Sequence, residues 1–293
     1  MNSQAPSNSG ECLDVMLLDE LWDFDDPIAS ELRFRQAIDA SPDGSTQSAE
    51  LATQLARSIG LQGRFDEARA LLDTVDNGGS SVTVVGIRSR LERGRLANSA
   101  GDPVAAAELF RDALERAQSA GQEFLAVDAA HMLAIADRER ADEWTELALR
   151  LVADAKDPRA QRWAGSLHNN AGWTRHDAGD YAGALAEFES ALTAYSVHGT
   201  VKQQRVARWA VARALRSLAR FDEALDIQTG LREQSPDDGY VEEELAELLL
   251  ATGDRARAAE HAAAAARLLG ADSWFAEYES GRLDRLRRLA QAG

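Results

Sequence analysis

Ser166-Leu-His-Asn-Asn-Ala-Gly-Trp-Thr-Arg-His-Asp-Ala-Gly-Asp-Tyr-Ala-Gly-Ala-Leu-Ala-Glu-Phe-Glu-Ser-Ala191 holds a small residue at Gly172, a turn at Gly179-Asp180, an aromatic at Tyr181 and an alanine–phenylalanine pair at Ala184 and Phe188. Residues four apart share one helix face, so the run reads as two helices joined by a tight turn, the second presenting a small anchor and one bulky ring. Outward from it, Gly94, Gly101-Asp102-Pro103, Ala106, Phe110 and Ala113 repeat the pattern, as do Ala56, Gly63-Arg-Phe65, Ala68 and Leu72. Copies around Phe221-Asp-Glu-Ala224 and Gly253-Asp254 keep the turn and lose the later aromatic. The anchors Ser30, Ala68, Ala106, Ala148, Ala184, Ala224 and Ala258 follow one another at 38, 38, 42, 36, 40 and 34 residues. The uneven 42 and 36 single out the unit anchored at Ala148. A fixed period of this size is the mark of a repeat array, whose core grows by stacking.

Twelve residues before each anchor stand Leu18, Ala56, Gly94, Ala136, Gly172, Ala212 and Ala246, mostly small. Small residues there allow two antiparallel helices to approach closely, and Phe65, Tyr181 and Phe221 are placed to plug the corner between them. Asp26-Pro27 and Asp102-Pro103 predict an N-cap followed by proline at the first helical position. At the N-terminal end, Trp22-Asp-Phe-Asp-Asp-Pro27 takes the place of the turn, with Ser30, Phe34 and Ala37 as anchors.

These residues resemble the tetratricopeptide (TPR) pattern of glycine, turn and A-x3-F, with a mean period of 38 residues, elongated against the usual 34. The runs Ala126-Val-Asp-Ala-Ala-His-Met-Leu-Ala-Ile135, Ser166 to Asn170 and Ala207-Arg-Trp-Ala-Val-Ala-Arg213 are similar to those of a group of uncharacterised bacterial TPR proteins. The resemblance implies an all-α, right-handed TPR-like superhelical solenoid of about seven helix pairs. The expected organisation is a disordered tail over 1–11, an array over 12–271 and a capping helix over 272–293, carrying Trp274, Phe275, Tyr278, Leu283, Leu286 and Leu289. The arginines Arg282, Arg285, Arg287 and Arg288 are read there as complements of the helix dipole. Ser80 to Ile87, despite the strand-like Val82-Thr-Val-Val-Gly86, is read as a linker entering the next helix, and Asn77-Gly-Gly-Ser-Ser81 as an inter-repeat turn.

Composition narrows the function. The 293 residues carry 49 acidic and 32 basic side chains, a net charge of −17. That field repels phosphate backbones and anionic membranes, so neither nucleic acid nor a membrane surface is an expected partner. Only Lys156 and Lys202 are lysines, so nearly every cation is a planar guanidinium. Cys12 stands alone, the first residues lack the layout of a signal peptide and no apolar run is long enough to span a bilayer, which together point to the cytoplasm.

In the TPR fold the first helix of each pair lines a concave groove. Carried over by position, the resemblance implies that Asp19, Arg57, Arg95, Asp137, Trp173, Arg213 and Glu247 face the groove, joined by Asn169, Asn170, Trp209 and His176. Amides suit a peptide backbone, arginines its carboxylates and indoles its side chains. The expected ligand-binding set is therefore Arg57, Arg95, His131, Asn169, Asn170, Trp173, Trp209 and Arg213, serving a non-enzymatic adaptor or sensor for a protein or peptide segment. Against this stands the plainer reading that each arginine pairs with a carboxylate of the next repeat. Asn170 also resembles the asparagine of a chaperone-type carboxylate clamp, but Val206 and Ala210 stand where that clamp needs cations.

The competing class is a small-molecule binder or enzyme centred on His131, Asn169, Asn170, Trp173 and Arg213, with Asp128, His131, Asn169, His176 and Asp177 as the acid–base set. His168 and His176 are eight residues apart, about 12 Å along a helix, too far to share one metal, and His168 is expected in the core. No metal, cofactor or catalytic residue is expected. A second binding surface is conceivable at the end helix, provided Trp274 and Phe275 are not both buried on the last repeat.

Overall fold

The computed structural model describes residues 18, 20–76 and 84–292. Its contacts divide the chain between Gln161 and Arg162 into two compact units. In the first, α1 (Pro27–Asp39), α2 (Thr46–Leu61), α3 (Phe65–Asp76), α4 (Val84–Ser99), α5 (Pro103–Ser119), α6 (Glu123–Ala136), α7 (Ala141–Asp154) and the short α8 (Pro158–Gln161) follow in order. The second holds α9 (Trp163–Asp177), α10 (Tyr181–His198), α11 (Val201–Ser217), α12 (Phe221–Gln234), α13 (Gly239–Ala251), α14 (Arg255–Gly270), α15 (Ser273–Tyr278) and α16 (Ser280–Ala290). No strand occurs among the described residues. Within each unit every helix packs on its sequence neighbours, and first helices also touch first helices of the next pair: α2 on α4, α4 on α6, α9 on α11 and α11 on α13. The all-α reading holds.

The pairs are closed by three-residue connections whose middle residue is left-handed: Gly63, Gly101, Gly179, Ala219 and Gly253, at φ of 77°, 85°, 81°, 57° and 89°. There the amide of Gly63 donates to the carbonyl of Gly60 and that of Arg64 to Ile59, a Schellman-type closure that uses up the last carbonyls of the helix. Ala219 makes the same closure without the freedom of glycine. Asp26 and Asp102 cap α1 and α5 as the sequence predicts, accepting from the amides of Ala29 at 2.9 Å and Ala105 at 3.0 Å.

Packing follows the repeat. Every anchor from Ser30 to Ala258 is fully buried, as are Phe34, Phe110 and Phe188. A Cβ on Gly94 would overlap the ring of Phe110, and one on Gly172 that of Phe188, so these glycines set how closely the paired helices approach. Phe65 and Phe221 plug their corners half-buried, whereas Tyr181 is more exposed and rests against His176 at 5.0 Å.

Three readings change. In the unit anchored at Ala148, α6 ends at Ala136 and a 3-10 turn, Arg138–Arg140, precedes α7. Asp137 is therefore the C-cap of α6 and not a groove residue; it accepts the indole N–H of Trp144 at 3.1 Å. Val84 to Ile87, read as linker, already belongs to α4, because Val85 and Ile87 are buried in the core. The C-terminal helix is two helices broken at Glu279, with Phe275, Leu283 and Leu286 buried while Trp274 (55% exposed) and Tyr278 (66%) stack on each other outside. The tail over 1–11, Asp19, Cys12 and the Asn77 to Ser81 turn lie outside the described residues.

Replacing Ala219 by glycine should raise the free energy of unfolding by about 0.5–1 kcal/mol, read from urea melts, because the left-handed backbone then costs nothing. Gly172→Ala should lower it by about 1–3 kcal/mol, since the added methyl has to displace the Phe188 ring.

Candidate functional site

In the second unit the first helices α9, α11 and α13 carry the predicted residues on neighbouring turns. Asn169 and Asn170 lie four and three residues before Trp173 on α9, and Trp209 lies four before Arg213 on α11, so each set shares a helix face. The Trp173 ring packs edge-on against Phe188 at 5.0 Å and meets Trp209 at 6.0 Å across the helix boundary. Trp209 continues the run to Tyr240 at 6.4 Å and donates its indole N–H to the Tyr240 carbonyl at 3.1 Å. Tyr240 in turn meets Phe275 at 5.9 Å. Neither the Asn169 nor the Asn170 side chain has a hydrogen-bond partner among the described residues.

Arg213 behaves differently. Its Nε lies 3.3 Å from Glu244 of α13, which also takes Arg216 through two contacts of 2.7 and 3.1 Å. Burial raises the Glu244 carboxyl to about 6 although Arg216 opposes the shift. His176 binds the Ser217 hydroxyl at 2.9 Å, and burial holds its imidazole below the ordinary value. His168 is not a core residue: it is half-buried and pairs with Glu187 at 2.7 Å, joining the two helices of one pair.

The first unit holds Arg57, Arg95 and His131. Arg95 is bound bidentately by Asp128 at 2.6 and 2.7 Å and by Glu92 at 2.6 Å. Burial alone would raise the Asp128 carboxyl; Arg95 and Arg57 overcome it and hold the group below its usual value. Burial would likewise lower Arg95, yet Asp128 and Glu92 raise it. Arg57 rides over Trp22 at 5.5 Å and Phe24 at 5.3 Å, contacts of the cation–π type. It has no hydrogen bond or ion pair among the described residues. Burial pushes the His131 imidazole below its ordinary value against the pull of Asp128, so it is neutral near pH 7.

Thus Trp173 meets Trp209 and each has predicted neighbours on its own helix, whereas Arg57, Arg95 and His131 belong to the other unit. The acid–base set is divided in the same way: Asp128 and His131 in the first unit, Asn169, His176 and Asp177 in the second. The plainer reading of the arginines applies to Arg95 and Arg213, whose charges are taken by carboxylates 33 and 31 residues further on. Among the described residues no three His, Cys, Asp or Glu side chains are grouped so as to hold a metal ion. Sequence reasoning missed Tyr240 as a continuation of the aromatic run, and the partners of the arginines. Opposite charges one repeat apart were the available sign, since Arg64 with Glu31, Arg205 with Asp238 and Arg285 with Glu247 obey the same spacing.

No family model matches the chain, and no curated protein matches it. Solved structures do. The STAND protein with a tetratricopeptide repeat sensor from Pyrococcus horikoshii is similar at a TM-score of 0.68 and 11% identity, over 92% of this chain and 45% of that one. The Cut9–Hcn1 hetero-tetramer is similar at 0.59 and 15%, over 94% and 47%. A tetratricopeptide repeat protein from Parabacteroides merdae is similar at 0.50 and 16%, over 94% and 98%. The chain thus spans about half the length of the first two.

A carboxyl held protonated by burial makes the folded state bind its proton more tightly than the unfolded chain, so this contribution to stability is full below the unfolded value of 4.5 and is lost as pH rises through about 6. The stability of the wild-type chain relative to Glu244→Gln should fall by on the order of 1–2 kcal/mol across that interval. Urea melts at each pH measure it; a difference that stays flat would mean Glu244 is ionised throughout.

Proposed function

Taking the chain as a protein of tetratricopeptide-repeat fold, we propose that it is a non-enzymatic adaptor or sensor that holds a protein or peptide segment along the first-helix face of the second unit. The observation that carries this reading is the pair of adjacent amides, Asn169 and Asn170, without partners among the described residues, one turn from the Trp173–Trp209 contact. A primary amide offers two donors and one acceptor, which matches the alternating groups of an extended backbone. The indoles supply broad, stiff apolar surface at low entropic cost. Similarity to a structure described as a repeat sensor supports the same reading.

The predicted arginines divide in role. Arg95 and Arg213 shape the face, because their charges are already met by Asp128 and Glu244. Arg57, stacked on Trp22 and Phe24, keeps its donors for a carboxylate of the partner and would serve the first unit, with His131 as a neutral neighbour. No helix among the described residues is long and apolar enough to cross a membrane.

The double variant Asn169→Ala/Asn170→Ala removes no internal hydrogen bond and should melt within about 0.5 kcal/mol of the wild type. In a pull-down followed by mass spectrometry of retained proteins and small molecules, it should lose a protein that the wild type keeps. A retained metabolite with no differential protein would replace this reading by a small-molecule one.

A further inference from the structure

A second feature of the second unit lies beside that face. Lys202, Arg205, Val206 and Trp209 recur at i, i+3, i+4 and i+7 on α11 and form one stripe. With Leu231 of α12 and the start of α13 they line a cleft of about 540 Å³, within the size range of ligand sites. Its floor is apolar: Leu231 and Val241 are buried together with Leu245, and Trp209 packs against them. Val206 and Tyr240, 50% and 40% exposed, leave apolar surface at the mouth. The indole of Trp209, tied to the Tyr240 carbonyl, is a fixed wall, so little ordering is left for a ligand to impose.

One end of the cleft is charged, and part of that charge is unspent. Asp238 is fully engaged: Oδ1 caps α13 by accepting from the amides of Tyr240 and Val241 at 3.1 and 3.3 Å, and Oδ2 takes Arg205 Nη2 at 2.9 Å. Arg205 Nε is buried with no partner. Lys202, one of two lysines in a chain of net charge −17, makes no hydrogen bond or ion pair among the described residues. A free cation and an unused donor thus sit at the edge of an apolar hole, a local reversal of the sign of the whole molecule.

We propose that this cleft receives a bulky apolar side chain of the partner polypeptide, with an aspartate or glutamate within a few residues docking on Lys202 and Arg205. The inference rests on the peptide-binding reading and names the chemistry of the partner. The apolar floor rewards burial of a leucine, phenylalanine or tryptophan side chain, and the cations fix which way the segment runs. In an extended segment successive residues advance about 3.3 Å, so an acidic residue one to four positions away reaches the charged end. A basic segment would meet Lys202 and be repelled.

The test is selection of a random peptide library displayed on phage against the immobilised 293-residue chain, and in parallel against Lys202→Glu and Val206→Glu. Both positions are exposed, so the variants keep the fold, as circular dichroism would verify. The wild type should enrich sequences pairing a bulky apolar residue with a nearby Asp or Glu. A fluorescein-labelled peptide from that pool should bind each variant about ten-fold or more weakly by polarisation, a change of about 1.4 kcal/mol. Selection on Lys202→Glu should shift the flanking preference to Lys or Arg, which a purely structural lysine would not cause. Enrichment without an acidic flank overturns the proposal. So does retained affinity for both cleft variants with loss on Asn169→Ala/Asn170→Ala, which leaves the groove reading standing. If the wild type enriches no peptide, the peptide-binding reading fails and the cleft proposal falls with it.

Discussion

The contact that sets helix approach in the two clearest pairs is a ring laid on a glycine. Phe110 on Gly94 and Phe188 on Gly172 bring the two helices close because no Cβ intervenes. The alanine anchors four residues earlier are buried on the same face. Burying one phenylalanine contributes roughly 1.5–3 kcal/mol, a contribution that Phe34, Phe110 and Phe188 each make. Within the second unit the packing of successive first helices brings Trp173, Trp209 and Tyr240 together as neighbours.

Polar contacts between successive first helices are the second layer. Arg95 with Asp128, Arg213 and Arg216 with Glu244, and Arg88 near Glu50 at 4.0 Å join one repeat to the next. Buried pairs of this kind add little net stability over an apolar contact, but removing one partner costs about 3–5 kcal/mol. Their effect is to fix register: a guanidinium on one first helix meets a carboxylate of the next at matching height. α13 carries this furthest. Its buried Glu242, Glu243 and Glu244 and its Glu247 meet Arg232 and His261, Arg282, Arg216 and Arg285 respectively. Arg282 and Arg285 of α16 are thus partners of Glu243 and Glu247, and for these two the helix-dipole reading gives way to pairing across helices.

Charge pairing also narrows the set of residues on which the proposed binding can rest. Most cations are engaged by carboxylates, including Arg95 and Arg213, which sequence position alone made candidates for ligand contact. Among the groups left uncharged or unpaired within the described residues are the Asn169 and Asn170 amides, Arg57 on its aromatic platform and Lys202 at the cleft. On the proposed reading, uncommitted cations in a strongly acidic chain are what an acidic segment would dock on.

The amino-acid order by itself determined the helices, their pairing and their core. Anchors at repeat spacing, turn glycines and Asp-Pro caps are local features, and a backbone that needs a left-handed residue or a free N-terminus states that need within a few positions. It also determined which residues lie on the first helices, since helical periodicity is local. Tertiary structure decided the rest. Whether an arginine is free or paired depends on a carboxylate 31 to 39 residues away, and the 3-10 turn at Arg138–Arg140 moved Asp137 off the face by changing one connection. The break at Glu279, the burial of Phe275 beside an exposed Trp274, and the cleft between α11 and α13 arise from how neighbouring helices fill space. Those contacts join residues far apart in sequence, so no local pattern contains them.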